Sequence, residues 1–290
     1  MEFTPISGAC GAEVSGIDLR RDLDPENVSA LQAGLGEHGV LVFRGQTLSP
    51  EDHLAMGEAF GGVNVNRFFK AVDGYPGIAE VRKEPDQKAN IGGQWHTDHT
   101  YDIEPALGSI LVARELPPCG GDTLFSSMYA AYEALSDGLK AMLSGMKAVH
   151  SSRHVFGTSA YYLEDGSDLA GRYGNNEAAK QDAVHPIIIR HPVSGWPSLY
   201  VNSGFTIRFD GWTAEESRPL LQMLYEHGSR PEFTCRVRFE PGTVVFWDNR
   251  ATWHCALNDY AGYRRLMHRV TVEGAPLPAW RPEGEERAAA

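Results

Sequence analysis

The second half of the chain carries the pattern that most restricts the fold. Residues 233–239 alternate between apolar and polar side chains, as expected of a strand with one wet face. Pro241-Gly242 then predicts a tight turn into a second strand over residues 243–247. Runs of β-branched and aromatic residues predict further strands at residues 40–43, 108–113, 186–190, 198–201 and 267–272. We therefore predict a mainly β protein with peripheral helices (α+β), built as a β sandwich or jelly roll and not from regular βαβ units.

Helix signals are fewer than strand signals and lie early in the chain or between predicted strands. Asp24-Pro25-Glu26 and Ser49-Pro50-Glu51 each place a proline at the first helical position behind a capping residue. Residues 126–143 carry apolar side chains at helical spacing and predict two short helices. Thr213-Ala214-Glu215-Glu216 is a capping box that predicts one more helix after it.

Length and composition place the chain among ordinary globular proteins. Its 290 residues are 42% hydrophobic and 22% charged, which suits a single domain over residues 1–290. We expect the tail after about residue 274, rich in Pro, Glu, Arg and Ala, to be only partly ordered. The four cysteines are widely scattered, which favours free thiols over a disulfide framework.

Net charge and hydropathy exclude several classes of partner. The formal charge of −12 gives no general attraction for nucleic acid or for anionic membranes. The sequence has no run of about 18 apolar residues and no N-terminal signal pattern. We therefore expect a cytoplasmic protein that neither spans a membrane nor binds nucleic acid. An anionic ligand would have to be attracted by local arginines.

His96-Thr97-Asp98 and the distant His254 are the candidate metal ligands. Residues two positions apart in an extended segment project to the same side, so one strand end can present His96 and Asp98 together. His254 lies far downstream and must come from another strand, which a jelly roll can bring close. Two histidines and one carboxylate on one face of an octahedral ion leave three positions open, as in non-haem Fe(II) oxygenases. Either motif alone is a weak signal, because a lone histidine is more often a core or surface residue.

Arg265 follows the last candidate ligand by eleven positions. Its planar guanidinium is suited to a bidentate pair with a carboxylate. The combination of this arginine with the three ligands predicts an Fe(II) site that binds a dicarboxylic co-substrate, 2-oxoglutarate.

Several longer motifs, in order along the chain, resemble those of one family. The matching stretches are residues 11–19, the block around Trp95-His96-Thr97-Asp98, Gly120-Gly121-Asp122-Thr123, His191-Pro192, Trp247-Asp248-Asn249-Arg250 and residues 264–269. From about residue 4 to residue 273 the chain resembles the taurine dioxygenase / 2,4-dichlorophenoxyacetate dioxygenase family of Fe(II)/2-oxoglutarate enzymes. Sections such as Val149-His150-Ser151 look closer to its phenoxypropionate dioxygenase branch. The resemblance implies a double-stranded β-helix, which agrees with the strand pattern.

The resemblance also implies a role for each candidate residue. His96, Asp98 and His254 would hold the iron, and 2-oxoglutarate would chelate it. The far carboxylate of 2-oxoglutarate would pair with Arg265 and accept a hydrogen bond from Thr123. With O₂, such an enzyme hydroxylates its substrate and releases succinate and CO₂. A surface ion pair for Arg265 and a turn role for Thr123 are the alternatives.

Arg269 matches a family position that commonly holds a substrate anion, so the resemblance implies a small organic anion, a carboxylate or a sulfonate. Support of the co-substrate or of a structural carboxylate is the alternative for Arg269. Phe156 and Phe205 match positions that often line the pocket and suit an apolar body such as that of an aryloxyalkanoate. A plain core role for both is equally open. His99 and Tyr101, just past the ligands, are further candidates for the pocket wall.

Taurine itself fits the sequence less well. Asn66 occupies the place where taurine enzymes carry a second sulfonate-binding histidine. The segment Asn90-Ile91-Gly92-Gly93-Gln94 lacks the acidic residue expected to meet the amine of taurine. A taurine, alkylsulfonate or alkylsulfate dioxygenase stays open as the alternative.

Two more distant alternatives also remain. A zinc hydrolase could use the same ligands, although it would leave Arg265 without a role. A non-catalytic binding protein would be expected if one ligand were missing, and all three are present. Related enzymes form dimers or tetramers, so we expect a homo-oligomer to be possible.

Overall fold

The computed structural model describes residues 1–158, 160, 163, 173–180 and 182–281. Within them the strands are β1 (Glu2–Pro5), β2 (Ala12–Ser15), β3 (Val40–Phe43), β4 (Val63–Asn64), β5 (Ala71–Val72), β6 (Tyr75–Lys83), β7 (Gly108–Glu115), β8 (Thr123–Ser127), β9 (Lys147–Ser151), β10 (Asp182–Pro186), β11 (Ile188–Arg190), β12 (Pro197–Leu199), β13 (Thr206–Phe209), β14 (Thr234–Val237), β15 (Val244–Asp248), β16 (Thr252–Ala256) and β17 (Arg265–Val272). The α-helices are α1 (Pro25–His38), α2 (Pro50–Ala59), α3 (Met128–Glu133), α4 (Asp137–Leu143), α5 (Arg153–Phe156) and α6 (Ala214–Gly228).

One large sheet and three small ones form the architecture. The large sheet has the order β1-β2-β3-β15-β7-β17-β6-β5, with β4 also paired to β17. The small sheets are β14-β8-β16, β10-β9-β13 and β11-β12. The pairings are antiparallel except that of β2 with β3. The prediction of a mainly β protein with peripheral helices is confirmed.

Three apolar layers hold the sheets and helices together. Side chains of α1 and α2 pack with one face of the large sheet around Leu31, Leu35 and Met56. The opposite face packs against β8 and β14, where Trp247, Met267 and Phe125 share a buried cluster. A third cluster joins α3, α4 and α6 to the small sheets. The sheets therefore face each other across a core, as in a jelly roll.

The predicted strands are present, with shifted bounds. The strand predicted over residues 233–239 is limited to β14, because Pro231–Phe233 forms a 3-10 turn before it. The run predicted at residues 186–190 is divided between the end of β10 and β11. Val244–Asp248 is buried throughout because β15 is covered on both faces: Val244 and Phe246 belong to the cluster of α1 and α2, and Val245 and Trp247 to the cluster of β8 and β14.

The predicted helix starts are confirmed by their caps. Asp24 accepts hydrogen bonds from the backbone N–H groups of Glu26 and Asn27 at the start of α1. Thr213 and Glu216 form the expected capping box of α6. Residues 126–143 contain the two short helices α3 and α4. Among the described residues, none of the helices has the length and apolar character needed to cross a bilayer.

The C-terminal segment is described as far as residue 281. There the backbone N–H of Trp280 donates to Ile188 at 3.0 Å, and the guanidinium of Arg190 lies 5.1 Å from the indole ring. The rest of the tail that was expected to be partly ordered, residues 282–290, lies outside the described residues.

Candidate metal and co-substrate site

A cavity of about 540 Å³ lies between the facing sheets. Its walls include all eleven residues named as candidates from the sequence: His96, Asp98, His254, Thr123, Arg265, Arg269, Asn66, Phe156, Phe205, His99 and Tyr101. The fold thus gathers side chains that are distributed over most of the chain. We call three parts of the cavity the metal face, the arginine end and the aromatic wall. The metal face is His96, Asp98 and His254, the arginine end contains Arg265 and Thr123, and the aromatic wall contains Phe156 and Phe205.

The metal face consists of His96, Asp98 and His254. One ligand atom from each lies within 4.8 Å of the others. His96 Nε2 is 3.6 Å from Asp98 Oδ1, and His254 Nε2 is 3.9 Å from Asp98 Oδ2. Metal–ligand bonds of about 2.0–2.2 Å can span separations of this size around a single ion. The cluster therefore fits one metal ion.

A backbone bridge holds the two histidines side by side. His96 N donates to the His254 carbonyl at 3.1 Å, and His254 N donates to the His96 carbonyl at 2.8 Å. The prediction that one strand end presents His96 and Asp98 is wrong in detail, because His96 forms an isolated bridge and Asp98 lies in the turn after it. Gly204 is required beside them, since a Cβ there would lie 2.7 Å from the Cβ of His96.

Each histidine turns its Nε2 toward Asp98 in the cavity. His96 Nδ1 donates to the Gln94 carbonyl at 2.7 Å, so Nε2 is the ring nitrogen that faces the carboxylate. Burial lowers the pKa of His254 well below its usual value, which keeps that ring unprotonated. The ring of Trp247 packs 4.8 Å from that of His254 and holds it in place. Neutral imidazoles are the form that binds a metal.

Asp98 is buried and ionised. Burial by itself would raise its pKa, but the guanidinium of Arg269 outweighs that effect and holds the pKa well below its usual range. Arg269 Nη1 donates to Asp98 Oδ2 at 2.9 Å, and Ser109 Oγ lies 3.5 Å from the same oxygen. Oδ1 remains directed toward His96. The carboxylate is therefore oriented by a second residue, as metal-binding carboxylates usually are.

The arginine end of the cavity contains Arg265 and Thr123. Arg265 begins β17 and is 5% exposed, and its Nε donates to the Gly121 carbonyl at 3.1 Å. Its Nη2 is buried and has no hydrogen-bond partner. Gly121 has a φ of +72°, which a residue with a side chain rarely adopts, and this turn brings its carbonyl to the arginine. Thr123, buried in β8, lines the cavity at the same end.

Arg269 lies four residues further along β17 and is also buried. In addition to its ion pair with Asp98, its guanidinium stands 4.5 Å from the ring centroid of Phe69. Its Nε has no hydrogen-bond partner. Arg269 thus supports a carboxylate of the metal face and still presents an unpaired donor.

Phe156 and Phe205 belong to an aromatic wall. They form one buried cluster with Phe68 and Tyr101, in which Phe68 and Phe156 stack at 4.4 Å and Tyr101 and Phe205 meet edge to face at 4.9 Å. Phe156, Phe205 and Tyr101 also line the cavity. Phe156 and Phe205 therefore belong to a buried cluster and also line the cavity, and their contact with a substrate stays a prediction.

Asn66 and His99 connect this wall to the metal face. His99 has a φ of +60°, unusual for a residue other than glycine. Its Nε2 is 3.2 Å from Asn66 Nδ2, and its Nδ1 is 3.0 Å from Asp102 Oδ2. Asp102 also pairs with Arg67. Asn66 Oδ1 accepts hydrogen bonds from the backbone N–H groups of the two residues that follow Arg67.

Sequence reasoning missed Ser109, Trp247 as a wall residue, and the chain of contacts through Asp102 and Arg67. The spacing of His99 and Asp102, three residues apart, was a usable signal for their contact. No comparable signal pointed to Arg67, because its contact depends on how the loop after β4 folds. His154 was also missed, and its Nε2 lies 2.9 Å from the Gly204 carbonyl at the cavity wall.

Comparison with known proteins gives a consistent result. Residues 2–271 match the family model described as taurine catabolism dioxygenase TauD, TfdA family. The chain is 35% identical over 276 residues to the alkylsulfatase of Acinetobacter baylyi, covering 94% of this chain and 85% of the relative. It is 33% identical over 275 residues to the alpha-ketoglutarate-dependent sulfate ester dioxygenase of Pseudomonas putida, covering 94% and 90%. Alpha-ketoglutarate is another name for 2-oxoglutarate.

A solved structure supports the same conclusion about the fold. The crystal structure of a taurine dioxygenase from Burkholderia xenovorans matches with a TM-score of 0.79 and 35% identity, covering 98% of this chain and 93% of that one. The predicted jelly-roll fold is confirmed by this likeness.

Proposed function

The chain belongs to the taurine catabolism dioxygenase TauD, TfdA family, and we propose that it oxidises a small organic anion with an apolar body. It is an oxidoreductase that depends on Fe(II), 2-oxoglutarate and O₂. The observation that carries the proposal is the cavity itself, in which one metal face, two buried arginines and an aromatic wall meet.

His96, Asp98 and His254 are proposed to hold the iron. The donor set of two imidazole nitrogens and one carboxylate suits Fe(II) and leaves room for further ligands. Bound iron would activate O₂ and couple the oxidative decarboxylation of 2-oxoglutarate, to succinate and CO₂, to hydroxylation of the substrate. The protein contributes by fixing the ligands before the metal arrives and by excluding water from the cavity.

Arg265 and Thr123 are proposed to bind the carboxylate of 2-oxoglutarate that is remote from the metal. Arg265 supports this role because its Nη2 is buried without a partner, which is costly unless an anion completes it. Its Nε is held by the Gly121 carbonyl, so the free edge of the guanidinium has a fixed direction. A surface ion pair, the alternative considered from the sequence, does not suit a side chain that is 5% exposed.

Arg269 is proposed to attract the anionic group of the substrate. Its unpaired Nε and its position beside Asp98 place a cation close to the metal face. The aromatic wall, with Phe156, Phe205 and Tyr101, offers an apolar surface for the rest of the substrate. His99 and Asn66 are proposed to shape the same side of the pocket through their mutual contact.

The charges that line the cavity bear on whether the substrate also carries an amine. Asp98 is the one acidic residue among the described residues that line the cavity. The ammonium group of taurine would therefore lack a counter-charge there other than a metal ligand. A carboxylate or sulfonate without an amine, such as an aryloxyalkanoate, is supported better than taurine.

Alkyl sulfates form the second candidate substrate class. The specific support is that two relatives, at 35% and 33% identity, are named for sulfate esters. Hydroxylation of the carbon that bears the sulfate oxygen would give an unstable product. It would collapse to an aldehyde and release inorganic sulfate.

The experiment that tests the proposal measures succinate formed under air with Fe(II), ascorbate and 2-oxoglutarate. The panel contains an alkyl sulfate, an alkylsulfonate, taurine and both enantiomers of phenoxypropionate. We expect strong stimulation by an anion that lacks an amine, and weak or no stimulation by taurine. Stimulation by taurine above all the others would contradict the proposed substrate class. Hydrolysis of an ester without consumption of 2-oxoglutarate would instead indicate the zinc hydrolase alternative.

A further inference from the structure

Two cationic side chains lie next to each other on the cavity face of the large sheet. Arg265 in β17 and Lys83 in β6 are cross-strand partners in the antiparallel pairing, so their side chains leave the sheet on the same face. The next pair on that face is Met267 and Val81, and Val81 lines the cavity. Lys83 therefore extends into the interior beside the arginine that we assign to the co-substrate.

Lys83 is buried although it carries a charge. It is 3% exposed. Over the part of the chain that the structure describes, Lys83 has no carboxylate oxygen within 4.0 Å of its ammonium nitrogen. The ammonium instead lies over the ring of Tyr260, with 4.4 Å between Nζ and the ring centroid. An aromatic face compensates only part of the cost of burying an ammonium group without a counter-ion.

Arg265 is likewise a buried cation that lies against an aromatic ring. Its Cζ lies 5.2 Å from the ring centroid of Phe239, and its Nη2 is buried without a hydrogen-bond partner. Two adjacent cations, each resting on an aromatic ring, repel each other in a medium of low dielectric constant. An anion bound between them would relieve the repulsion and would give Arg265 Nη2 the hydrogen bond that it lacks.

We infer that Lys83 is a second cation of the co-substrate site and acts with Arg265 on the remote carboxylate of 2-oxoglutarate. This inference rests on the proposed role of Arg265. The carboxylate has two oxygens, so Arg265 Nη2 can donate to one and the Lys83 ammonium to the other. Lys83 would then determine co-substrate specificity, because it would bind the remote carboxylate of a dicarboxylic 2-oxo acid and would have no group to bind on a monocarboxylic one.

The test compares two 2-oxo acids on Lys83→Met, a variant that removes the charge and keeps the length of the side chain. The protein is loaded with Mn(II), which does not support turnover, and binding is measured by calorimetry. The probes are 2-oxoglutarate and 2-oxopentanoate, which has the same carbon chain without the remote carboxylate. We expect Lys83→Met to lower the affinity for 2-oxoglutarate by about tenfold, the scale of one charge-assisted hydrogen bond. The affinity for 2-oxopentanoate should stay within about twofold of the parent value.

Two further variants complete the binding test. Lys83→Arg should retain most of the affinity for 2-oxoglutarate, because it keeps the charge. Lys147→Met removes the same charge from an exposed position at the start of β9 and should change neither affinity. Equal losses for both probes, or no loss for 2-oxoglutarate, would overturn the inference.

Thermal unfolding of the ligand-free protein gives an independent readout. Lys83→Met should unfold at the same or a higher temperature than the parent protein, because it removes a buried and unpaired charge. A clearly lower temperature would mean that Lys83 supports the fold through Tyr260, and the inference would be rejected. The proposed function fails separately: it is refuted if the Mn(II)-loaded parent protein binds neither 2-oxo acid. If Arg265→Ala loses 2-oxoglutarate and Lys83→Met does not, the proposed function stands alone.

Discussion

Asp98 lies between a permanent cation and the proposed metal position. Its Oδ2 is paired with Arg269, and its Oδ1 is directed toward His96. In the buried environment of the cavity, such a carboxylate cannot be removed without leaving an unpaired guanidinium. The residue therefore contributes to the stability of the site as well as serving as a proposed metal ligand.

We expect Asp98→Ala, His96→Ala and His254→Ala each to abolish substrate oxidation and to weaken Fe(II) binding. Each substitution removes one of three donor atoms from the same face of the ion. Iron content after equilibrium dialysis and succinate formation measure the two effects. Ser109→Ala serves as the control, because its 3.5 Å contact with Asp98 is too long to be a strong hydrogen bond. Full turnover in any one of the three ligand variants would remove that residue from the metal face.

Arg265→Ala should raise the KM for 2-oxoglutarate by about 10- to 100-fold, the scale expected when a charge-assisted hydrogen bond is lost. The buried guanidinium is oriented by Gly121 and has no other anionic partner among the described residues. Initial rates at varied 2-oxoglutarate and saturating Fe(II) provide the measurement. An unchanged KM would reject the role proposed for this arginine.

Arg269→Ala should act mainly on the organic substrate. Its KM for the anionic substrate should rise about tenfold or more, while the KM for 2-oxoglutarate changes by less than about twofold. The assay uses saturating Fe(II), because the variant also removes the ion pair of Asp98. Equal turnover of the anionic substrate by the variant and the parent would point to another anchor.

The sequence was informative about these residues because each belongs to a motif whose chemistry depends on residue type. A histidine, a carboxylate and an arginine at suitable spacing are visible without a structure. The contacts that orient them are not. The link from Arg67 through Asp102 to His99 depends on the folding of two loops, and the pairing of Arg269 with Asp98 depends on strand register.

At the level of elements, the strands supply the positions and the turns supply the directions of the site residues. Thr123 lies in β8 and His254 in β16. Thr123 pairs with Ala256 and Phe125 pairs with His254, so the side chains of Thr123 and His254 leave the sheet on the same face. The turn that contains Gly121 directs a carbonyl at Arg265. The turn after His96 brings Asp98 back toward both histidines.

Helix α6 offers a test that separates stability from catalysis. Thr213 caps its N-terminus and lies outside the cavity lining among the described residues. Thr213→Ala should lower the free energy of unfolding by about 1 kcal/mol, because the capping hydrogen bond that the backbone N–H of Glu216 donates to the Thr213 hydroxyl is lost. Chemical denaturation measures the change, and the kcat should stay within about twofold of the parent value. Thr213→Ser, which can still cap the helix, is the matched control. A loss as large in the serine variant would argue against capping as the cause.

Sequence patterns locate a strand more accurately than they locate its first and last residues. The alternation over residues 233–239 correctly predicts β14, but Pro231–Phe233 forms a 3-10 turn that the alternation does not reveal. A second example is the bridge between His96 and His254. It joins two segments through backbone groups, which side-chain patterns do not encode.

At the scale of the whole molecule, buried histidines make stability depend on pH. Burial lowers the pKa of His53 to about 3, and burial also lowers the pKa of the half-buried His268 to about 4. In the unfolded chain both titrate near about 6.5. Between these values the unfolded state binds more protons than the folded state. The free energy of unfolding is therefore highest above about pH 6.5 and falls as the pH decreases toward 4 and 3.

Denaturant unfolding at about pH 7 and about pH 5 measures this dependence, which we expect to approach 1.4 kcal/mol per pH unit for His53 at most. His53→Gln should show a shallower decline, because a glutamine does not titrate. Equal free energies of unfolding at the two pH values in the parent protein would contradict the expectation.

Some predictions about the whole chain remain to be tested. That residues 1–290 act as one domain, and that the protein forms a homo-oligomer, stay predictions. Limited proteolysis and sedimentation analysis address them directly.

The backbone bridge between His96 and His254 holds the two histidines together before any metal binds. In a disordered chain, an ion that gathered both residues would have to close a loop of about 160 residues, at an entropic cost of at least about 4.5 kcal/mol. Here the two hydrogen bonds of the bridge have closed that loop already. The protein is therefore comparable to a macrocycle and not to an open-chain chelator. A metal bound at the proposed site could leave and return without the donor atoms having to find each other again.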